Sequence, residues 1–335
     1  MEEKVKKLNN EGVKYFLKGN FGEARDKYME ALEIVPAHPA TLNNLGMVLL
    51  QEKKFSEAEK LFFKASQQKE NSTYHLNLGN AYANQKKNKK AEACYLKSIH
   101  LKPDGLMAWK SLATLYQFQK DYYKSVETWE HICKNINADP SFKIQWAKDL
   151  MALGEHEKAL ERFSEVVGHE QYQEQGWYSM GLIHFKKNNF GMAEKSIKKV
   201  LAINPDHEAS RMLAAVVYLG TSQLDKALFH WNYLLRLNEN NHKVRTDKAV
   251  ALLANGFQKE ALTELNLVLS RDKENPKALY YKALTNIEMK ENLLEAARIL
   301  KQLQSVKNPF SSKAAVLLSK IEDSSFKNES YKKNE

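Results

Sequence analysis

Ten histidines and two cysteines are the residues of this 335-residue sequence on which bond-making or metal chemistry would rest. A zinc hydrolase of the H-E-x-x-H type needs two histidines one helical turn apart, so that both rings reach the same ion. His156-Glu157, His169-Glu170 and His207-Glu208 each begin that motif, and each lacks the second histidine. Cys94 and Cys133 have no C-x-x-C spacing and no obvious set of metal partners. No glycine-rich loop is present to cradle a phosphate. The reading is therefore no enzyme, no cofactor and no bound metal.

Residues that bind without reacting are placed more regularly. Asparagine recurs as Asn10, Asn44 and Asn77, with Asn9, Asn43, Asn80 and Asn84 close by. Each amide offers a carbonyl acceptor and an NH2 donor, the complement of a peptide bond. Large apolar residues take over further along: Met107, Phe118, Ile144, Met151, Tyr178, Leu182, Phe185, Met212, Leu213, Val216 and Leu219, then Tyr280 and Tyr281. Methionine and aromatic side chains adapt well to an apolar partner. Lysine clusters as Lys53-Lys54, Lys86-Lys87, Lys89-Lys90 and Lys186-Lys187, with Lys120 and Lys290 singly. Such clusters attract acidic partners or anionic surfaces, or simply keep turns solvated.

One repeating unit positions all three sets. Residues 8–36 read as two amphipathic helices joined by the turn Lys18-Gly19-Asn20. Gly12 and Ala24 are small where the helices would touch, Tyr15 and Tyr28 fill the gap, and Pro36 stops the second helix. The small residue of the second helix recurs as Ala24, Ala58, Ala91, Ser125, Ala159, Ala193, Ala227, Ala261 and Ala296, in steps of 34, 33, 34, 34, 34, 34, 34 and 35 residues. A period this constant marks an all-α repeat array, which overrides the two or three domains that length alone would suggest.

These residues resemble the tetratricopeptide repeat, whose pattern runs W-x2-L-G-x2-Y, then A-x3-F, then P. The first repeat supplies Leu8, Glu11, Gly12, Tyr15, Ala24, Tyr28 and Pro36, and the third supplies Leu78, Gly79, Tyr82, Ala91, Tyr95 and Pro103. The sixth has Trp177, Met180, Gly181, Ala193 and Pro205, with His184 at the tyrosine position and Ile197 at the phenylalanine position. The fourth, seventh and eighth are more degenerate, and the ninth has one extra residue before Ala296. The resemblance covers residues 5–310 and implies a right-handed superhelical α-solenoid of about nine helix-turn-helix repeats. They start near residues 5, 39, 72, 106, 140, 174, 208, 242 and 276, giving an array over 1–310. A capping helix over 311–323 follows, with Ala314, Leu317, Leu318 and Ile321 as its apolar stripe, and then a disordered tail over 324–335.

The resemblance also implies a function, that of a protein-binding scaffold whose first helices line a concave groove. There Asn10, Asn44, Asn77 and Asn80 would hold the backbone of an extended peptide, similar to the asparagine ladder of O-GlcNAc transferases. The ladder stops early, because the next occupants are Ser111, Gln145, Ser179 and Leu213. Phe118, Met151, Tyr178, Leu182, Phe185, Met212, Leu213, Tyr280 and Tyr281 would take an amphipathic helix or apolar peptide, except those that pack on a neighbouring repeat instead. The carboxylate clamp of chaperone-binding members is not matched: Asn44 fits it, but Asn9, Val13, Thr73 and Asn77 stand at its other positions. Lys53, Lys54, Lys86, Lys87, Lys89, Lys90, Lys186 and Lys187 would form a basic edge along the turns. Two further uses stay open, head-to-tail assembly into homo-oligomers and recruitment into a larger envelope or secretion complex through that edge.

The net charge of +10 comes mainly from lysine. Arginine, the better residue for bidentate phosphate and base contacts, is scarce, so nucleic acid is not the expected partner. No apolar run is long enough to span a bilayer, the first residues carry no signal-like segment, and two cysteines exclude a disulfide framework. A cytoplasmic setting is the expectation.

Overall fold

The computed structural model describes residues 1–137 and 139–320. Among them the regular structure is helical throughout, with no strands. The chain divides into two compact units, Met1–Gly176 and one beginning at Trp177. Unit 1 runs through α1 (Glu2–Leu17), α2 (Phe21–Ile34), α3 (Pro39–Gln51), α4 (Phe55–Gln68), α5 (Ser72–Asn84), α6 (Asn88–Leu101), α7 (Leu106–Gln119), α8 (Tyr122–His131), α9 (Pro140–Leu153) and α10 (His156–Val166). The division falls inside α11 (Glu170–Lys186). Unit 2 continues with α12 (Phe190–Ile203), α13 (Glu208–Gly220), α14 (Leu224–Leu237), α15 (His242–Ala254), α16 (Gln258–Arg271), α17 (Pro276–Met289) and α18 (Leu293–Ser305). Residues 311–320 form a last helical stretch, α19. Ile321 and the tail expected over 324–335 lie outside the described residues.

Helices pair because each hairpin matches small residues with large ones. A Cβ at Gly46 would sit 2.7 Å from the Phe62 ring, and one at Gly79 would sit 2.5 Å from the Tyr95 ring. Only a bare Cα lets the first helix approach that closely, and the ring then fills the space at crystal-like density. The periodic alanines Ala24, Ala58 and Ala91, like Tyr28, Phe62 and Tyr95 one turn on, are buried. In unit 1 the first helices also pack on one another, α1 with α3, α3 with α5 and α5 with α7. The second helices make no comparable mutual contacts, so within this unit the first helices form the inner, more crowded layer.

Ser125 breaks the alanine series, and the structure gives the reason. Asp149 of α9 is buried beside it at 3% exposure. The Ser125 hydroxyl donates to Asp149 Oδ2, and Gln117 Nε2 lies 2.9 Å from both carboxylate oxygens. Burial pushes the carboxyl of Asp149 upward, while these hydrogen bonds act the other way. An alanine at 125 would leave the acid with one donor fewer.

Each hairpin turns through a left-handed residue, and the last adds a second, Asn292. Gly19, Lys53, Lys86, Lys120, Gly154, Asn188, Ser222, Gly256 and Lys290 all have positive φ. At the third hairpin Lys86 N–H returns to Ala83 O and Lys87 N–H to Tyr82 O, which satisfies the end of α5. Glycine adopts this geometry freely, whereas a Cβ costs about 1 kcal/mol. Lys86→Gly should therefore raise the stability of unit 1 by about 0.5–1 kcal/mol in urea denaturation. A loss of stability would show that the Lys86 side chain, rather than the backbone, matters there.

Candidate functional site

The inner face of unit 1 opens into a cleft of about 380 Å³ between α5 and α7. It is lined by Asn80, Ala83 and Asn84 from α5, by Tyr95 from α6, and by Met107, Lys110, Ser111, Thr114, Leu115 and Phe118 from α7. The α7 residues at 107, 111, 114 and 118 are spaced four, three and four apart, which puts them on one helical face. Trp109 Nε1 donates to Pro103 O at 2.8 Å and ties down the entry to that helix.

The floor of the cleft is polar and its walls are apolar. Tyr95 is buried in the hairpin, yet its hydroxyl donates to Asn80 Oδ1 at 3.0 Å. Ser111 hydrogen-bonds the same phenol, and burial raises the tyrosine above its ordinary range. Asn84 Nδ2 donates to Asn80 O at 2.8 Å. The Asn80 carbonyl is thus engaged, while no acceptor for its NH2 group is found among the described residues. Met107 and Phe118 flank this floor at 58% and 64% exposure, a large apolar area left open to water. Lys110 is the one charged side chain among the lining residues, with Nζ 5.2 Å from the Phe142 ring centre. Such a site can hold one apolar side chain, hydrogen-bond a backbone carbonyl through Asn80, and attract a nearby carboxylate.

Several residues expected in the groove do other work. The early asparagines bond mainly to each other: Asn44 Nδ2 donates to Asn9 Oδ1 at 3.0 Å, Asn43 Nδ2 to Asn44 Oδ1 at 3.3 Å, and Asn77 Nδ2 to Asn43 Oδ1 at 2.8 Å. Asn77 is 6% exposed, so it stitches α3 to α5 rather than meeting a ligand. Asn10 is exposed and Asn44 half-buried. Leu213 is a correction as well, since it is buried in the core of unit 2, against Gly181. Ile144 is likewise core. Tyr178, Leu182, Phe185 and Met212 are half-buried and packed against the same core as Leu213, and Met151 is half-buried in unit 1. Tyr280 and Tyr281 meet edge-on at 5.3 Å, and both flank Phe310. A first helix must serve both the groove and the preceding repeat, and residue type alone does not divide the two. Lys110, Thr114 and Tyr95 were not expected at a site. The spacing from Met107 to Phe118 carries the signal that would have found the first two.

Along the turns of unit 1, Lys53, Lys54, Lys86, Lys87, Lys89 and Lys90 are exposed, as are Lys186 and Lys187 in α11 and just after it. Lys54 pairs with Glu52 at 3.0 Å and Lys87 with Glu59 at 2.7 Å, and Lys87 and Lys90 lie over the Tyr82 ring. Burial works against ionisation of Glu59, but hydrogen bonds from Lys87 and Gln85 hold it below the usual carboxylate range. The edge is therefore partly neutralised from within.

Reactive chemistry has little footing among the described residues. Burial pushes the Cys94 and Cys133 thiols up to about 11, which keeps them protonated at neutral pH. His230 in unit 2 is driven down to about 4 by burial and by the Arg211 guanidinium beside it. No group of three or more His, Cys, Asp and Glu side chains among the described residues is placed to hold a metal ion. No helix among these residues is long and apolar enough to cross a membrane.

Family comparison places the tetratricopeptide repeat on residues 14–72 and 72–104, and the coatomer epsilon subunit on residues 95–325. Human protein O-mannosyl-transferase TMTC3 is 24% identical over 209 residues, 57% of this chain and 23% of its own length. Anaphase-promoting complex subunit 3 of Schizosaccharomyces pombe is 22% identical over 270 residues, 76% of this chain and 39% of its own. The chain thus spans less than half the length of either relative. Among solved structures, the C-terminal part of a repeat-containing protein from Cytophaga hutchinsonii superposes with a TM-score of 0.64 at 14% identity, over 70% of this chain and 97% of that one. That likeness supports the helical repeat fold.

Proposed function

Because the chain belongs to the tetratricopeptide repeat family and, over residues 95–325, to that of the coatomer epsilon subunit, we propose that it is a non-enzymatic scaffold. Its working surface in this reading is the cleft between α5 and α7, which binds an extended peptide segment of a partner protein. The observation that carries the reading is the exposure of Met107 and Phe118 on either side of the Asn80–Tyr95–Ser111 floor. An apolar residue of the peptide fills the cleft, its backbone carbonyl accepts from Asn80, and an acidic neighbour lies near Lys110. The expected footprint is narrower than an amide ladder, because Asn77 and Asn43 are already bonded to each other.

The test is selection of a random peptide library against the full chain, followed by titration of the enriched peptides. They should share an apolar anchor, and Phe118→Glu or Met107→Asp should weaken them at least tenfold, roughly 1.4 kcal/mol, with helicity unchanged. Peptides that bind both variants as tightly as the parent would place recognition elsewhere. A second reading, recruitment into a larger assembly through the basic edge, draws support from the exposure of Lys53, Lys86 and Lys89 without an ion-pair partner among the described residues. It is separated in the same titration, since binding through that edge falls steeply as salt screens the lysines while cleft binding changes little.

A further inference from the structure

We propose that the outer face of unit 1 is a two-fold docking surface whose partner is a second copy of this chain. The second helices α2, α4 and α6 carry Met29, Phe63 and Leu96 at equivalent positions, 34 and 33 residues apart. These side chains are 51%, 51% and 46% exposed. Hairpin packing does not call for large apolar groups there, because Tyr28, Phe62 and Tyr95 already fill the space against the first helices. The ladder is also confined to three repeats: the equivalent residues on α8 and α10 are Glu130 and Ser164.

The charges that flank the ladder change sign along it. On α2 the exposed face carries Asp26, Glu30 and Glu33, whereas on α6 it carries Lys89, Lys90 and Lys97. Between them α4 is mixed, with Glu57 beside Lys60 and Lys64. Lys27 engages Glu30, and Glu70 engages Lys97. Asp26, Glu33 and Lys89 have no ion-pair partner among the described residues.

A surface that is acidic at one end, apolar along its length and basic at the other is complementary to itself when turned end for end. A two-fold axis near Phe63 lays α2 of each copy over α6 of the other, so opposite charges meet at both rims and the ladders meet between them. Docking with like ends together would oppose acid to acid and base to base, which selects the antiparallel arrangement. Such an isologous contact closes at two copies, unlike the head-to-tail chain that the sequence alone left open. It is also separate from the cleft, so its failure would leave the peptide titration untouched.

Sedimentation equilibrium of the full chain tests this. The expected result is a monomer–dimer equilibrium that Phe63→Glu weakens at least a hundredfold, with the circular dichroism of the helices unchanged. Asp26→Lys with Glu33→Lys reverses the acidic end, and Lys89→Glu with Lys97→Glu reverses the basic end. Each double variant should dimerise poorly alone, and their equimolar mixture should recover dimer, because both rims are then complementary again. A mass independent of concentration, growth beyond two copies, or a mixture no tighter than either variant would overturn the proposal.

Discussion

Gly79→Val should destabilise unit 1 by about 3 kcal/mol or more in urea denaturation and should abolish peptide binding in the cleft. The first added carbon alone would lie 2.5 Å from the Tyr95 ring and 3.3 Å from Cys94 Cβ. Tyr95 is 2% exposed, so its ring has nowhere to retreat without moving α6. The same ring carries the hydroxyl that orients Asn80, which couples hairpin packing to the cleft floor. Gly22→Ala is the matched control: that glycine also lies in a helix, but a Cβ there meets nothing within 4 Å. The control should be neutral or stabilising by about 0.5 kcal/mol, because alanine is the better helix former. Equal effects of the two substitutions would show that the hairpins are not in close contact at Gly79.

Asn286→Leu should make the last hairpin of unit 2 more stable by about 1–3 kcal/mol. Asn286 lies on α17 at 1% exposure, and neither of its amide atoms finds a hydrogen-bond partner among the described residues. The corresponding residue is Tyr116 on α7 and Tyr218 on α13, whose hydroxyls reach Glu92 and Glu194 in the preceding hairpin at 2.8 and 3.0 Å. Before α17 the place of that glutamate is taken by Leu262, so a polar group at 286 has nothing to reach. Leucine already fills the position as Leu49, Leu150 and Leu252, all buried. Thermal unfolding of the variant checks this, and a lowered midpoint would mean that the amide is satisfied in solution.

The hairpin unit was legible from spacing because its causes are local. A small residue every 34 or so positions, a turn residue and a helix stop are enough to specify it. The exchange of Ala for Ser at 125 was visible too, but its cause was not. Asp149 lies 24 residues away, and only the fold brings the two side chains together. The same limit explains the groove. Asn77 and Asn80 look equivalent in the sequence, yet the turn of the helix points one at Asn43 and the other at the cleft. Leu213 and Met212 differ by one position, and that step separates buried core from a half-buried flank. Attention to the first helices also hid Met29, Phe63 and Leu96, which sit on the second helices in the same register. Their regular spacing was there to be read, but their exposure becomes plain only once the hairpins are packed.

The most direct test of the cleft as the binding surface is photocrosslinking from its centre. Thr114 on α7 is exposed, so replacing it with a photoreactive phenylalanine analogue does not disturb the core. The labelled chain is irradiated in the cells that make it, and adducts are identified by mass spectrometry. The expected result is a protein adduct from position 114 that disappears when Phe118→Glu is added, while helicity and the dimer equilibrium stay unchanged. Adducts formed equally with and without Phe118→Glu would contradict the assignment of the cleft.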